Sequence, residues 1–166
     1  MLRISKKADY AVFLLGCIAR EGAFPGGSAA EAVVSAHEIA RLAGLNKSVV
    51  ANLLKVFAKD GMLESVRGLK GGYRLTRSPA KVTLAHILQA VDGPFHLVDC
   101  VRHGHEPMAD DHSCTLITFC PTKNPMRVVH DRIERLLGEI TLSEMCGLSG
   151  RSEEHTSELQ SPCNLV

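Results

Sequence analysis

The stretch DCVRHGHEPMADDHSCTLITFC, residues 99 to 120, places three cysteines, three histidines and four acids within 22 residues. Thiolates with imidazoles are the ordinary ligands of zinc, thiolates alone are those of iron–sulfur clusters, and without a metal the same groups make a reactive thiol site. Cys100 and Cys114 are 13 residues apart in the gap between them, Cys114 and Cys120 five. That spacing matches no standard zinc finger. A loop can bend three such thiolates around one centre, which a helix cannot, and a tetrahedral site then still needs a fourth ligand.

Composition sets the setting for that chemistry. The 166 residues are 45% apolar and 22% charged, enough for one core or for one compact domain with an appended helix. MLRISKKADY has no apolar leader region, and the longest apolar run, AVFLLGCIA at 11 to 19, is far too short to cross a bilayer. These features predict a cytoplasmic protein with no membrane partner, in which clustered cysteines bind metal or react rather than pair. Net charge is +1, yet residues 1 to 77 hold 12 Lys/Arg against 6 Asp/Glu, and the remainder 7 against 12. A basic half on a neutral chain is the footprint of a nucleic-acid-binding module, although a solvated surface fits the charge alone equally well.

The basic half reads as helices followed by a hairpin. SKKADYAVFLLGCIAREG (5–22) begins at a capping Ser5 and stops at Gly22, with Cys17 inside as a small core residue. The Gly-rich AFPGGSAAEAV (23–33) reads as a flexible surface loop. SAHEIARLAG (35–44) carries a capping box of Ser35 with Glu38, and LNKSVVANLLKVFAKDG (45–61) follows at once with Val49, Val50, Leu53, Leu54 and Phe57 at helical spacing. Two short helices with a tight turn are a helix-turn-helix or a plain helical hairpin. MLESVRGLKGGYRLTR (62–77) then reads as strand, glycine turn, strand, with Arg67, Lys70, Arg74 and Arg77 along it, which favours a winged helix. Its glycines permit a sharp tip close to a phosphate or groove wall. A nucleotide-binding loop is the weaker reading, because no Lys-Ser/Thr and no helix follow.

SKKADYAV, EIARLAGLNKSVVANLLKVFAKDGML, SVRGLKGGYRL and VTLAHILQAVDG together resemble the winged-helix iron–sulfur transcription regulators of the IscR, NsrR and RirA type. The resemblance spans nearly all of residues 1 to 145, and the RG-x-x-GGY-x-L wing followed by an apolar helix and three cysteines is its specific part. It implies a mainly α fold with a small β-hairpin: a winged helix-turn-helix domain plus a long C-terminal dimerisation helix. It further implies that Cys100, Cys114 and Cys120 hold an iron–sulfur cluster, 2Fe-2S or 4Fe-4S, whose state changes DNA affinity. The fourth ligand in the iron–sulfur regulator is a histidine three residues after the last cysteine, where this chain has Lys123. In the nitric-oxide sensor it is an acid on the first helix, and Asp9 stands at the matching place; the plain alternative is a solvated first-turn carboxylate. The relatives have five to seven residues in the first cysteine gap, so the longer gap here, with His103, His105 and His112 in it, keeps zinc open as the cofactor. A bare thiol sensor, activated by His and Arg102, is the third possibility.

NPMRVVHDRIERLLGEI (124–140) has Asn124 as cap, Pro125 at the first helical position, and Met126, Val129, Ile133, Leu136, Leu137 and Ile140 in one stripe. The stripe packs on its own domain or, as the resemblance implies, pairs two chains into a homodimer on a roughly palindromic double-stranded DNA operator. Asn46, Lys47, Ser48 and Asn52 are then the candidate major-groove contacts, with Lys55 and Lys59 at phosphates or in solvent. Arg67, Lys70 and Tyr73 serve the wing in or beside the minor groove. The divisions expected are a winged domain at 1–82, a connecting helix and turn at 83–98, the cysteine-rich loop at 99–123, and the dimerisation helix and end of native chain at 124–146. Residues 147–166 form a disordered tail in which RSEEHTSELQS (151–161) resembles the translation of a sequencing adapter, so Cys163 and His155 carry no function. Cys146 is either free or unimportant. Repression is the commoner outcome in the family. An enzyme built on the Cys/His loop is disfavoured, since it leaves the basic helix-turn-helix and wing without a role.

Overall fold

A computed structural model of the chain describes residues 3–29, 31–68, 70–98 and 119–148. Among them the order is α1 (Lys6–Arg20), α2 (Ala36–Ala43), α3 (Lys47–Asp60), β1 (Leu63–Val66), β2 (Gly72–Leu75), a 3-10 turn (Pro79–Lys81), α4 (Leu84–Asp92), α5 (Lys123–Glu139) and α6 (Leu142–Met145). The expected mainly α fold with one small hairpin is what forms.

Capping residues set most helix starts. Ser5, Ser35, Asn46, Thr83 and Thr141 each accept a backbone N–H of the first turn. Gly44, at φ 61°, ends α2 with the left-handed residue that a tight turn into α3 requires. The capping box expected at Ser35 is half made: Ser35 Oγ accepts from Glu38 N, but the Glu38 carboxylate turns to Arg41 at 2.6 Å. That pairing holds the Glu38 carboxyl below its usual range.

Leu14, Leu15 and Ile18 of α1, Ile39 of α2, Leu53, Leu54 and Phe57 of α3, and Ile87 of α4 close one core with Met62 and Leu75 at the base of the hairpin. β1 and β2 pair antiparallel with Leu63 opposite Leu75 and Val66 opposite Gly72. Tyr73 exchanges two backbone hydrogen bonds with Val34, which ties the wing to the start of α2. Segment 23–29 is no loose loop. It folds back through Gly27 N to Phe24 O and Ala29 N to Gly22 O, and Ala23 O accepts from Leu75 N.

The C-terminal stretch differs from its sequence reading in three ways. α5 starts at Lys123 with Thr122 as cap, so Asn124 and Pro125 lie inside the first turn. Thr122 makes no side-chain cap bond, because its hydroxyl sits 3.1 Å from Cys120 Sγ. After α5 the chain returns to the core: Leu84 N donates to Ile140 O, Leu142 N donates to Val82 O, and Leu142 is fully buried in α6. The α5 stripe is also split. Met126, Ile133, Leu137 and Ile140 are half-buried, whereas Val129 and Leu136 are exposed, with Leu136 at 56%.

Candidate nucleic-acid interface and the cysteine segment

α3 buries Val50, Leu53, Leu54 and Phe57, and this fixes which face meets solvent. Ser48, Asn52, Lys55 and Lys59 recur at four, three and four residues, all exposed, with Asn46 and Lys47 exposed at the N-terminal end. A helix laid by its N-terminal end against DNA offers amides and hydroxyls to base edges and its positive dipole end to phosphates. The first turn of α3 carries no acid to oppose that. Asn46 has a second duty: its Oδ1 accepts from Ser48 N and Ser48 Oγ, each at 2.9 Å. The Nδ2 amine is the part of Asn46 left for a base.

Arg67 and Lys70 stand exposed at the wing tip, where Gly71 N closes the turn on Gly68 O. Leu69 between them lies outside the described residues. The glycines serve internal packing as well as turning. A Cβ at Gly71 would lie 2.4 Å from Val66 O, and one at Gly72 would lie 2.5 Å from Val34 O, both impossible contacts. Tyr73 is half-buried against the core, and its backbone pairing with Val34 holds the wing in place. Arg74 is engaged by acids, 2.9 Å from Glu64 across the hairpin and 3.6 Å from Glu31 in the segment before α2.

Of the candidate metal ligands, Cys120 and Asp9 fall in the described residues, and Cys100 and Cys114 do not; His103, His105, His112 and Arg102 also lie outside. Cys120 is half-buried, just before α5. The Thr122 hydroxyl, then the Thr122 and Lys123 backbone amides, hold its thiol below the usual range and so favour thiolate. Asp9 is exposed in the first turn of α1. Lys123, where the iron–sulfur regulator has histidine, is the first residue of α5. Cys17 is half-buried in α1, and Cys146 packs so closely on the same helix that a Cβ at Gly16 would lie 2.7 Å from its Sγ. Burial pushes the Cys146 thiol up, which makes it a packing group.

His130 carried no weight in the sequence reading. It is fully buried, with Nε2 3.0 Å from Phe95 O and its ring 5.2 Å from the Phe95 ring. The available signal was its place in the helix, four residues after Met126 and three before Ile133.

A helix-turn-helix with an exposed polar recognition face, followed by a basic two-stranded wing, defines a winged-helix transcriptional regulator. The family model described as Rrf2, iron-dependent transcriptional regulator, matches residues 4–147, and the chain belongs to that family. It is 29% identical over 144 residues to the HTH-type transcriptional regulator IscR of Aliivibrio salmonicida, covering 87% of this chain and 77% of that one. A putative HTH-type transcriptional regulator of Mycobacterium tuberculosis strain H37Rv is 27% identical over 158 residues, covering 95% and 88%. Among solved structures, T. potens IscR superposes with a TM-score of 0.60 at 26% identity, covering 94% of each chain. The global cysteine regulator CymR of B. subtilis gives 0.65 at 23% identity over 90% and 99%, a likeness of fold. Among the described residues no helix is long and apolar enough to cross a membrane.

Proposed function

We propose that this chain acts as a homodimeric repressor whose operator affinity is set by an iron–sulfur cluster on Cys100, Cys114 and Cys120. The observation that carries the cluster is the favoured thiolate of Cys120, held at the N-terminal end of α5 by the Thr122 hydroxyl and backbone amides. A soft, anionic sulfur is what cluster iron takes; a cationic Lys123 is not, so the fourth ligand comes from elsewhere. Asp9, on an exposed first turn, is the candidate, reached from the partner's cysteine segment across a dimer. A bound 2Fe-2S or 4Fe-4S cluster supplies the chemistry that iron supply, nitric oxide and oxidants act upon. The chain's own residues do the rest. Lys47, Ser48, Asn52 and the Asn46 amine read or clamp the major groove, while Arg67, Lys70 and Tyr73 place the wing. Exposed Val128, Val129 and Leu136 on α5 offer the apolar seam for a second copy.

The same thiolate supports a second reading, a thiol-sensing regulator without a cluster. Anaerobic purification followed by absorption spectroscopy and iron, sulfide and zinc analysis separates the possibilities. Iron and inorganic sulfide in equal amounts with visible absorption are expected. Stoichiometric zinc without sulfide assigns the site to zinc, and neither metal assigns it to thiols. Electrophoretic shift on upstream DNA tests the regulator itself, and no salt-sensitive shift on any fragment refutes DNA binding.

A further inference from the structure

α2 and α6 open on the same four-residue pattern and finish it differently. At α6 the capping box is complete: Thr141 Oγ1 accepts from Glu144 N at 3.2 Å, and the Glu144 carboxylate accepts from Thr141 N at 2.7 Å. At α2 Ser35 Oγ accepts from Glu38 N at 3.1 Å, but the Glu38 carboxylate goes to Arg41, with Oε2 3.0 Å from Nε and Oε1 2.6 Å from Nη2. The residue one turn further on makes the difference. Gly147 stands three positions after Glu144, whereas Arg41 stands three after Glu38 and takes its carboxylate by a two-pronged bond.

We propose that Arg41 binds a DNA backbone phosphate beside the recognition helix, and that Glu38 holds its guanidinium until DNA takes it, then closes the capping box on Ser35. The proposal rests on the reading of the chain as a DNA-binding regulator and is independent of what the cysteines hold.

Ile39 and Ala40 fix α2 on the core, which leaves Arg41 on the outer face with 63% of its side chain exposed. Its carbonyl accepts from Gly44 N in the turn that leads to Asn46, the cap of α3. In helix-turn-helix docking the second helix enters the major groove while the first crosses the backbone, so a cation at this place lies near phosphates. The guanidinium fork fits two phosphate oxygens as it fits two carboxylate oxygens. The exchange favours phosphate: a water-exposed pair one turn apart is held weakly, whereas neutralising a phosphate also releases a condensed counterion. Glu21, at the end of α1, attracts Arg41 less strongly than Glu38 does. Once released, Glu38 has the Ser35 N–H to accept from at the positive end of α2, the arrangement that Glu144 already adopts at Thr141. Glu38 is thus a brake on DNA binding that the complex converts into a helix cap.

Fluorescence anisotropy of the full chain across a salt series, on a fragment selected by the wild type and on an unrelated fragment of equal length, tests this. Glu38→Gln, a change that still permits capping, should tighten binding to both about two- to fivefold with the circular dichroism spectrum unaltered. Arg41→Gln should weaken both and lower the slope of log affinity against log salt by about 1. In the Arg41→Gln background, Glu38→Gln should bring little of its gain. An unaltered slope in Arg41→Gln removes Arg41 from the phosphates. No gain from Glu38→Gln, or an equal gain with and without Arg41, overturns the exchange, the latter by making Glu38 a general negative charge. A wild type that binds neither fragment at any salt refutes the DNA-binding reading itself and this site with it, a result distinct from every variant outcome.

Discussion

Asn46 has two roles that substitution can pull apart. Its Oδ1 caps α3 through Ser48 N and Oγ, and its position puts it among the groups proposed to meet DNA. Asn46→Ala removes the acceptor. Loss of an N-cap costs about 0.5 to 2 kcal/mol, and because these bonds are exposed, water partly replaces them, so about 1 kcal/mol is expected. For a chain of this size that lowers the melting temperature by about 2 to 4 °C. Asn46→Asp keeps the acceptor and sets a carboxylate on the positive end of the helix, so folding should be unchanged or stabilised by about 0.3 to 1 kcal/mol. On DNA the order reverses. The new carboxylate meets phosphates, and Asn46→Asp should lose at least as much as a missing groove contact, about 1 to 3 kcal/mol, or about 5- to 150-fold in affinity.

The assay pairs denaturant unfolding followed by circular dichroism with fluorescence anisotropy on an operator fragment selected by the wild-type protein. Stability should rank Asp at or above Asn, then Ala, while affinity places Asp lowest. An Asp variant that unfolds more readily than the Ala variant refutes the capping geometry. An Asp variant that binds DNA as the wild type does removes the N-terminus of α3 from the interface.

Gly72→Ala should destabilise by about 1 to 3 kcal/mol, since its Cβ would strike Val34 O and force the Tyr73–Val34 pairing apart; an unchanged unfolding midpoint refutes this contact. Operator binding should fall steeply with salt, and Arg67→Ala should cost about 1 to 3 kcal/mol of affinity, whereas equal affinity would take Arg67 out of the wing contact. Replacing Cys100, Cys114 or Cys120 by Ala should remove iron and visible absorption together, with Asp9→Ala giving only a more labile chromophore; full iron retention in any cysteine variant argues against that ligand. Alkylation of Cys120 should reach half its maximal rate below the usual thiol pH and that of Cys146 above it, because hydrogen bonds favour the first thiolate and burial opposes the second; the reverse order, read by mass spectrometry of peptides, would contradict both environments.

The features legible in the sequence were those whose causes lie within a few residues. Ser5 and Ser35 announced their helices because capping is a contact over three positions, and the GGY run announced the wing because only glycine fits so near Val66 O and Val34 O. What escaped depended on distant or competing partners. Glu38 left its capping box for Arg41, and α5 starts at Lys123, before the Asn124 cap that the local pattern suggested, with the Thr122 hydroxyl turned to Cys120. Arg74 looked like one more wing cation until Glu31 and Glu64 were folded beside it. His130 drew no attention in the sequence, because the partner that satisfies its buried ring is a carbonyl 35 residues earlier. The site itself was legible as residue types and as surface. Its cysteine centre, apart from Cys120, lies outside the described residues.

Under the proposed function, the anchoring of α4 bears on how a change among the cysteines would reach the recognition helix. The chain leaves α4 toward Cys100 past an end held by α1, through Ser5 Oγ to Asp92 Oδ2 at 2.6 Å and Lys7 Nζ to Val91 O at 2.7 Å. Phe95 O, further along, is held by His130 of α5. On its other side α4 meets α3, where His86 lies 2.9 Å from Asp60, the last residue of the recognition helix. A half-exposed pair of that kind contributes about 0 to 1 kcal/mol, while coupling between two sites usually needs about 1 to 3 kcal/mol. The His86–Asp60 contact alone therefore falls short. The packing of α4 on α3 within the shared core, where Ile87 is fully buried, has to carry the larger part. Rigid apolar contacts transmit a helix shift as a whole, which makes displacement of α4 a more effective signal to the DNA face than any change of charge along it.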